Sequence, residues 1–233
     1  MNKEQFLETI KQVVTTQEPK LYLSELDVDS LTEIKQLTHL TELFLNGKYY
    51  WDSNKKTGYE NSLSELGKEI GSLVNLTKLS ISGFPIKKLP KEIGNLVNLK
   101  ELYIDNTSLN TLPKEIGNLV NLEILDISYC QNFTHFPNSL SKLMSLVDLQ
   151  APYNALESLP TKIGNLIKLN RLSIKGNPNI TKLPRSIGKL VNLEDIDLSH
   201  TGLSKLPFKP SKLSRLVSLD ISETDIKEIT SKT

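Results

Sequence analysis

Few residues in this chain carry reactive chemistry, and their placement limits what that chemistry can be. Among 233 residues there are three histidines, His39, His135 and His200, and one cysteine, Cys130. The histidines fall in different parts of the chain, so they predict no shared metal site. A lone cysteine excludes a disulfide framework and a Cys-rich zinc cluster. Ser199 and His200 lie beside Asp197, with Asp220 and Ser222 following. A Ser–His–Asp relay also needs a pocket and an oxyanion hole, and nothing in the sequence supplies them. There is no glycine-rich phosphate loop and no metal-ligand cluster. The chain is read as non-enzymatic, with no catalytic, cofactor-binding or metal-binding residues.

Recognition residues are easier to find, but they have meaning only on a frame, and the frame is a repeat. LPKEIGNLVNL occurs at 89–99 and again at 112–122. Looser copies are LPTKIGNLIKL (159–169), LPRSIGKLVNL (183–193) and LGKEIGSLVNL (66–76). Each runs into L-x-x-L-x-L, led by Leu40, Leu76, Leu99, Leu122, Leu146, Leu169, Leu193 and Leu216. The spacings are 36, 23, 23, 24, 23, 24 and 23. A shortened copy, Leu23-x-x-Leu26-x-Val28, is read as the first, making nine strand-like segments. Positions 4 and 6 of the motif share one face of a short strand. One unit alone cannot bury its leucines, whereas stacked neighbours can.

The segments LKELYIDNTSLNTLPKEIGNLVN and LIKLNRLSIKGNPNITKLPRSIGKLVN closely resemble leucine-rich repeats. The likeness is to the 23-residue kind found in bacterial and other intracellular repeat proteins, and it covers about 20–233. It implies an α/β fold: a right-handed curved horseshoe with a parallel β-sheet on the concave face. Loops and 3₁₀ turns lie on the convex face, and binding occurs on the concave one. The domain reading is a capping helix within 1–19, then a repeat domain over 20–233. Phe6, Leu7, Ile10, Val13 and Val14 share one helical face of residues 3–16. No polar capping segment follows Leu216, so edge-to-edge association of an otherwise monomeric chain is open.

In the family, position 9 is a buried Asn that satisfies backbone groups of adjacent turns. Here it reads Asn61, Phe84, Thr107, Cys130, Asn154, Asn177, Thr201 and Thr224, which gives Cys130 a structural role. Positions 2, 3, 5, 7 and 8 face outward. By this register they carry fourteen carboxylates, Glu25, Asp27 and Asp29 among them, against four cations, Lys78, Lys100, Arg171 and Lys175. A chain with 28 Lys+Arg and 27 Asp+Glu thus hides an acidic face. Tyr103, Tyr129 and Tyr153 lie near Asp105, Asp126 and Asp148, with Phe44, Arg171, Asp197 and His200 on the same face. Arg171 and Lys175 either bind or pair with Asp148, Asp195 or Asp197. The 36-residue spacing hides an insertion, KYYWDSNKKTGYE at 48–60, read as a small hairpin that brings Tyr49, Tyr50, Trp51 and Tyr59 to the rim.

These residues point to a protein partner, a basic surface or peptide held by cation–π contact and ion pairing. The alternative is a cell-surface adhesin or carbohydrate binder using Trp51 and the tyrosines. Lys87, Lys88, Lys91, Lys114, Lys162, Lys182, Arg185 and Lys189 recur in the returning segments and are read as a solvated face. Near-neutral charge argues against a nucleic-acid or membrane partner. The start MNKEQFLETIKQVV has no signal-like apolar region, and no run approaches 18 apolar residues. The cytoplasm is the expected compartment, with secretion or surface anchoring as the alternative if a signal was removed.

Overall fold

The leucine motif folds as its alternation requires. The computed structural model describes residues 1–52, 56–61 and 63–227. Nine parallel strands form one sheet. They are β1 (Lys20–Ser24), β2 (Glu42–Asn46), β5 (Lys78–Ser82), β6 (Glu101–Asp105), β7 (Ile124–Asp126), β8 (Asp148–Gln150), β9 (Arg171–Ser173), β10 (Asp195–Asp197) and β11 (Ser218–Asp220). Their order in the sheet is their order in the chain. Leu43, Leu79, Leu102, Leu125, Leu149, Leu172 and Ile196 pair in register, and their side chains are buried. Inserted after β2 are two antiparallel strands, β3 (Tyr49–Asp52) and β4 (Lys56–Tyr59). The hairpin expected at 48–60 is therefore present.

The back of each coil is a single 3₁₀ turn, such as Lys91–Asn95, Lys114–Asn118 and Arg185–Lys189. A proline before the turn presets its entry: Pro90, Pro113 and Pro184 each have φ near −67° or −66°. The turn closes by i→i+3 bonds, for example from the Leu96 amide to the Ile93 carbonyl oxygen at 3.2 Å. Ile93, Ile116, Ile163 and Ile187 point inward and meet the strand leucines in one core. The glycine after the isoleucine admits the next coil. A Cβ on Gly94 or Gly117 would sit 2.7 Å from the following coil's carbonyl oxygen. A second column of parallel bridges joins Lys88, Thr111, His135 and Ser158. This column places His135 in the frame.

Helix α1 (Lys3–Thr16) covers the first coil, as expected. Asn2 and Gln5 form a reciprocal capping box, and Gln17 ends the helix in the left-handed region. Phe6, Ile10 and Val13 are buried, while Leu7 and Val14 pack at its margin. Among the described residues no helix is long and apolar enough to cross a membrane.

The first coil corrects the register read from sequence. Leu21 and Leu23 pair with Leu43 and Leu45, so Leu23 holds position 6, not position 1. Glu18 stands where other coils have their leading leucine, and Leu26 occupies position 9. Asp27 and Asp29 therefore leave the outward face, while Lys20 and Tyr22 join it. The reason is physical. The first coil has a helix beside it rather than another coil, so its leading residue need not fill an inter-coil seam.

Position 9 is a buried polar ladder. The Asn154 amide donates to the Ile127 and Ala151 carbonyl oxygens, and its Oδ1 accepts from the Cys130 backbone at 2.6 Å. Asn177 donates to Ala151 and Ile174 and accepts from the Leu156 amide at 2.9 Å. The Cys130 sulfur lies 3.2 Å from Thr107 Oγ1 and donates to the Ile104 carbonyl oxygen. Burial pushes this thiol up to about 11, so it stays protonated at neutral pH. Phe84, which cannot bond, is buried after Gly83, whose φ of 72° turns the chain. Replacing Asn177 by Ala strands several buried partners at once. The expected loss is roughly 3 kcal/mol, read as a lower urea midpoint for Asn177→Ala than for wild type.

Candidate functional site

Adjacent strands bring residues of equal position into direct contact, so the outward face is best described by column. In the position-3 column, Lys20 meets Glu42 at 2.8 Å and Lys78 meets Glu101 at 2.7 Å. Further along, Arg171 grips Asp148 through Nε at 2.8 Å and Nη2 at 2.5 Å. Lys100 pairs with Glu123 at 3.6 Å and Lys175 with Asp197 at 4.0 Å. The corrected register counts twelve carboxylates and five cations on this face, and each of the five cations has a carboxylate on a neighbouring strand. The face is acidic, less so than the sequence register implied. Arg171 is committed to Asp148, one of the pairings expected.

Among the described residues the ion pairs leave over two adjacent carboxylates at the centre, Asp105 and Asp126, and three in the last two coils, Asp195, Asp220 and Glu223. Asp105 accepts from Ser82 Oγ at 2.7 Å and from Asn106, and forms no ion pair among the described residues. Asp126 accepts from the backbone and hydroxyl of Ser128. Burial first, then the nearby Asp105 and Asp148 charges, push the Asp126 carboxyl above its ordinary value despite those bonds. Tyr103 donates to Glu101 at 3.0 Å; burial and the surrounding carboxylates push its phenol up to about 12.

The aromatics form two groups. At position 8, Tyr129 and Tyr153 adopt positive φ (57° and 55°) and stack at 4.9 Å with 16° between their planes. They are 46% and 40% exposed, so part of the stack is open to solvent. Gly176 makes room for the stack: its φ is +67°, and a Cβ there would lie 2.5 Å from the Tyr153 ring. The second group is at position 5. Tyr22 stacks on Phe44 at 4.4 Å, and Lys78 Nζ lies 5.8 Å from Phe44 and 5.0 Å from Tyr103. Sequence reasoning missed Tyr22, because the shifted first register placed it before the first strand.

Other expected site residues fall elsewhere. The side chains of Tyr49, Tyr50 and Trp51 lie outside the described residues. Tyr59 is half-buried and its phenol is hydrogen-bonded to Ser108, so it fastens the hairpin to the coil edge. Asn61 fixes the hairpin base, donating to Lys48 and Gly83 carbonyl oxygens at 2.9 and 2.8 Å. Ser199 is buried, and its hydroxyl donates to Asp197 at 2.6 Å rather than to His200. His200 is exposed at position 8, beyond Gly176 in the tyrosine row. On the opposite edge, Val74, Val97, Val120, Met144, Ile167 and Val191 form an exposed apolar stripe.

Residues 91–177 match the family model described as a leucine-rich repeat region. No curated protein sequence matches the chain. A leucine-rich repeat protein of Leptospira interrogans is similar in structure: TM-score 0.58, 26% identity, covering 96% of this chain and 65% of that one. A plant peptide hormone receptor, solved in complex with RGF2, gives TM-score 0.58 at 26% identity over 88% of this chain and 36% of its own. Internalin C2 of Listeria monocytogenes shares the fold at 22% identity and TM-score 0.58, over 89% of this chain and 79% of that one. The chain thus spans somewhat under two thirds of the Leptospira protein and about a third of the plant receptor.

A raised Asp126 has a thermodynamic consequence of definite sign. The folded chain holds this proton to higher pH than the unfolded chain, so stability falls as pH rises from the ordinary carboxylate value through the raised one. Asp126→Asn keeps an acceptor for Ser128 and removes the charge. Its melting temperature is expected to exceed wild type at neutral pH, with the gain vanishing as pH falls below the carboxylate range. Melting curves of both proteins across pH check this; a constant difference would refute the assignment.

Proposed function

The chain is a leucine-rich repeat protein, and from that premise we propose that it is a non-enzymatic recognition module for a basic peptide or protein surface. The observation that carries this reading is the half-exposed Tyr129–Tyr153 stack on the same face as Asp105 and Asp126, which enter no ion pair among the described residues. A Lys or Arg side chain can lie against a tyrosine face while its charge meets a carboxylate, and each contact strengthens as water leaves. Tyr103 lines the same centre. The ion pairs of Asp148 with Arg171 and Asp197 with Lys175 hold the surrounding side chains in place. Tyr22, Phe44 and Lys78 extend the surface toward the first coil and suit an aromatic or acidic group of the same partner. His200 continues the tyrosine row, and the 48–60 hairpin borders it at the strands' C-terminal ends. The plant receptor's structure with a bound RGF2 supports peptide recognition on a related frame.

The reading is tested with a displayed random-peptide library selected on the intact chain. Selected sequences are expected to be rich in Lys and Arg, and their affinity to fall as salt rises. Tyr129→Ala with Tyr153→Ala is expected to weaken the best peptide about tenfold or more while leaving the melting curve cooperative. Acidic or purely apolar consensus peptides, or affinity untouched by the double substitution, would sink it.

A further inference from the structure

The convex side carries a second feature, in the one back turn among the described residues that has a proline in place of the inward aliphatic residue. Regular coils place an inward isoleucine and then a glycine in the back turn, as in Ile163–Gly164 and Ile187–Gly188. The following coil instead reads Leu206-Pro207-Phe208-Lys209-Pro210-Ser211-Lys212. Pro210 stands where the isoleucine belongs, at the start of a 3₁₀ turn over Pro210–Lys212. The next coil no longer closes down. A Cβ on Gly71, Gly94, Gly117 or Gly164 would meet the following coil's backbone oxygen within 2.7 Å. On Gly188 it would meet only the Phe208 Cβ, at 3.1 Å.

The gap is a pair of adjoining surface cavities of about 370 and 330 Å³, which share Arg185, Leu206 and Pro207. Each lies within the size range of small-molecule sites. Their cations are Lys182, Arg185, Lys189, Lys205, Lys209 and Lys212, and among the described residues no carboxylate lines either cavity. The sheet face shows the contrast, since its cations sit opposite carboxylates. Here Lys182, Arg185, Lys189, Lys205 and Lys212 enter no ion pair among the described residues. The half-buried Leu206 and Phe208 pack against the core beneath them. The cavity lined by Ser64–Lys68 and Lys87–Pro90 differs, because Glu65 shares it with its lysines.

We propose that this cleft is a binding site for a multiply phosphorylated small anion, separate from the peptide face. Like charges gathered around one opening repel until an anion bridges them. The Arg185 guanidinium supplies a fork matched to phosphate oxygens, and the lysines supply mobile charges around it. The apolar floor excludes water below the anion and strengthens each ion pair. The phosphates come either from a soluble compound or from a phosphorylated lipid headgroup, which present the same chemistry.

Calorimetric titration of the intact chain with sodium tripolyphosphate tests the site. One anion per chain is expected to bind, with affinity falling as salt rises. Arg185→Glu with Lys189→Glu is expected to cut affinity at least tenfold. Pro210→Ile with Ser211→Gly restores the regular pair and closes the gap without altering charge; it is expected to cut affinity by a similar factor. Thermal melting confirms that each variant is folded. Phosphatidylcholine vesicles carrying phosphatidylinositol bisphosphate separate the sources: co-sedimentation that depends on Arg185 assigns a headgroup, and its absence beside tripolyphosphate binding assigns a soluble ligand. The proposal is overturned by no tripolyphosphate binding, by affinity unchanged in either double variant, or by Arg185-dependent binding of a single-stranded RNA oligomer much tighter than that of tripolyphosphate.

Discussion

Stacking one coil on the next is the interaction on which the rest of this molecule depends. No coil encloses its own leucines; each is completed by the neighbour laid against it about 4.8 Å away. That spacing applies to every side chain at once. Residues at the same position are forced into contact whether or not they suit each other. The core accepts this easily, because leucine packs on leucine. The outward face accepts it only by choice of residue. Lys20 therefore faces Glu42, Lys78 faces Glu101, and Asp148 faces Arg171. Position 9 obeys the same constraint in polar form, each buried amide bonding the turn beside it.

A periodic molecule makes its special residues visible as failures of periodicity. Asp126 has no cation on either neighbouring strand, since the column beside it offers Tyr103 and Gln150. Burial and the charges of Asp105 and Asp148 raise its carboxyl above the ordinary value. Pro210 departs in the other sense, since its small ring stands where Ile187 stands one coil earlier and fills less of the wall. Both departures run against local stability. In a structure whose stability is a sum over neighbouring interfaces, such a departure weakens its own seam and little else. The fold can carry binding residues at interior coils without endangering the whole.

Much of this was legible in the sequence because the repeat is. The strand leucines, the 3–16 helix and the 48–60 hairpin follow from spacing, amphipathicity and turn residues, each a local property. The first coil was not legible. Leu23-x-x-Leu26-x-Val28 copies the motif, yet its leucines belong to positions 6 and 9, and only pairing with Leu43 and Leu45 reveals it. Tyr22 was lost with that register. The pairing of cations across strands needed only the columns, and Arg171 with Asp148 could be anticipated. The coupling of Tyr153 to Gly176 could not, since it depends on a positive φ and a ring lying over a bare Cα. The opened cleft at Pro210 was written in the missing isoleucine, but its depth and its lack of carboxylates are tertiary facts.

The near-zero net charge of the chain conceals a division of labour between two surfaces. Strand positions hold carboxylates, with cations added only where a neighbour needs one. The returning segments hold lysines, with few carboxylates near the last turns. The core separates the faces, and an 8–10 Å screening length at ordinary salt limits the influence of one on the other. A basic partner approaching the sheet therefore meets the acid of Asp105 and Asp126 before it senses Lys189 or Lys205. An anion approaching the back meets the reverse. Each face repels what the other attracts, so one thin solenoid carries two opposite fields without a wall between them beyond its own leucines.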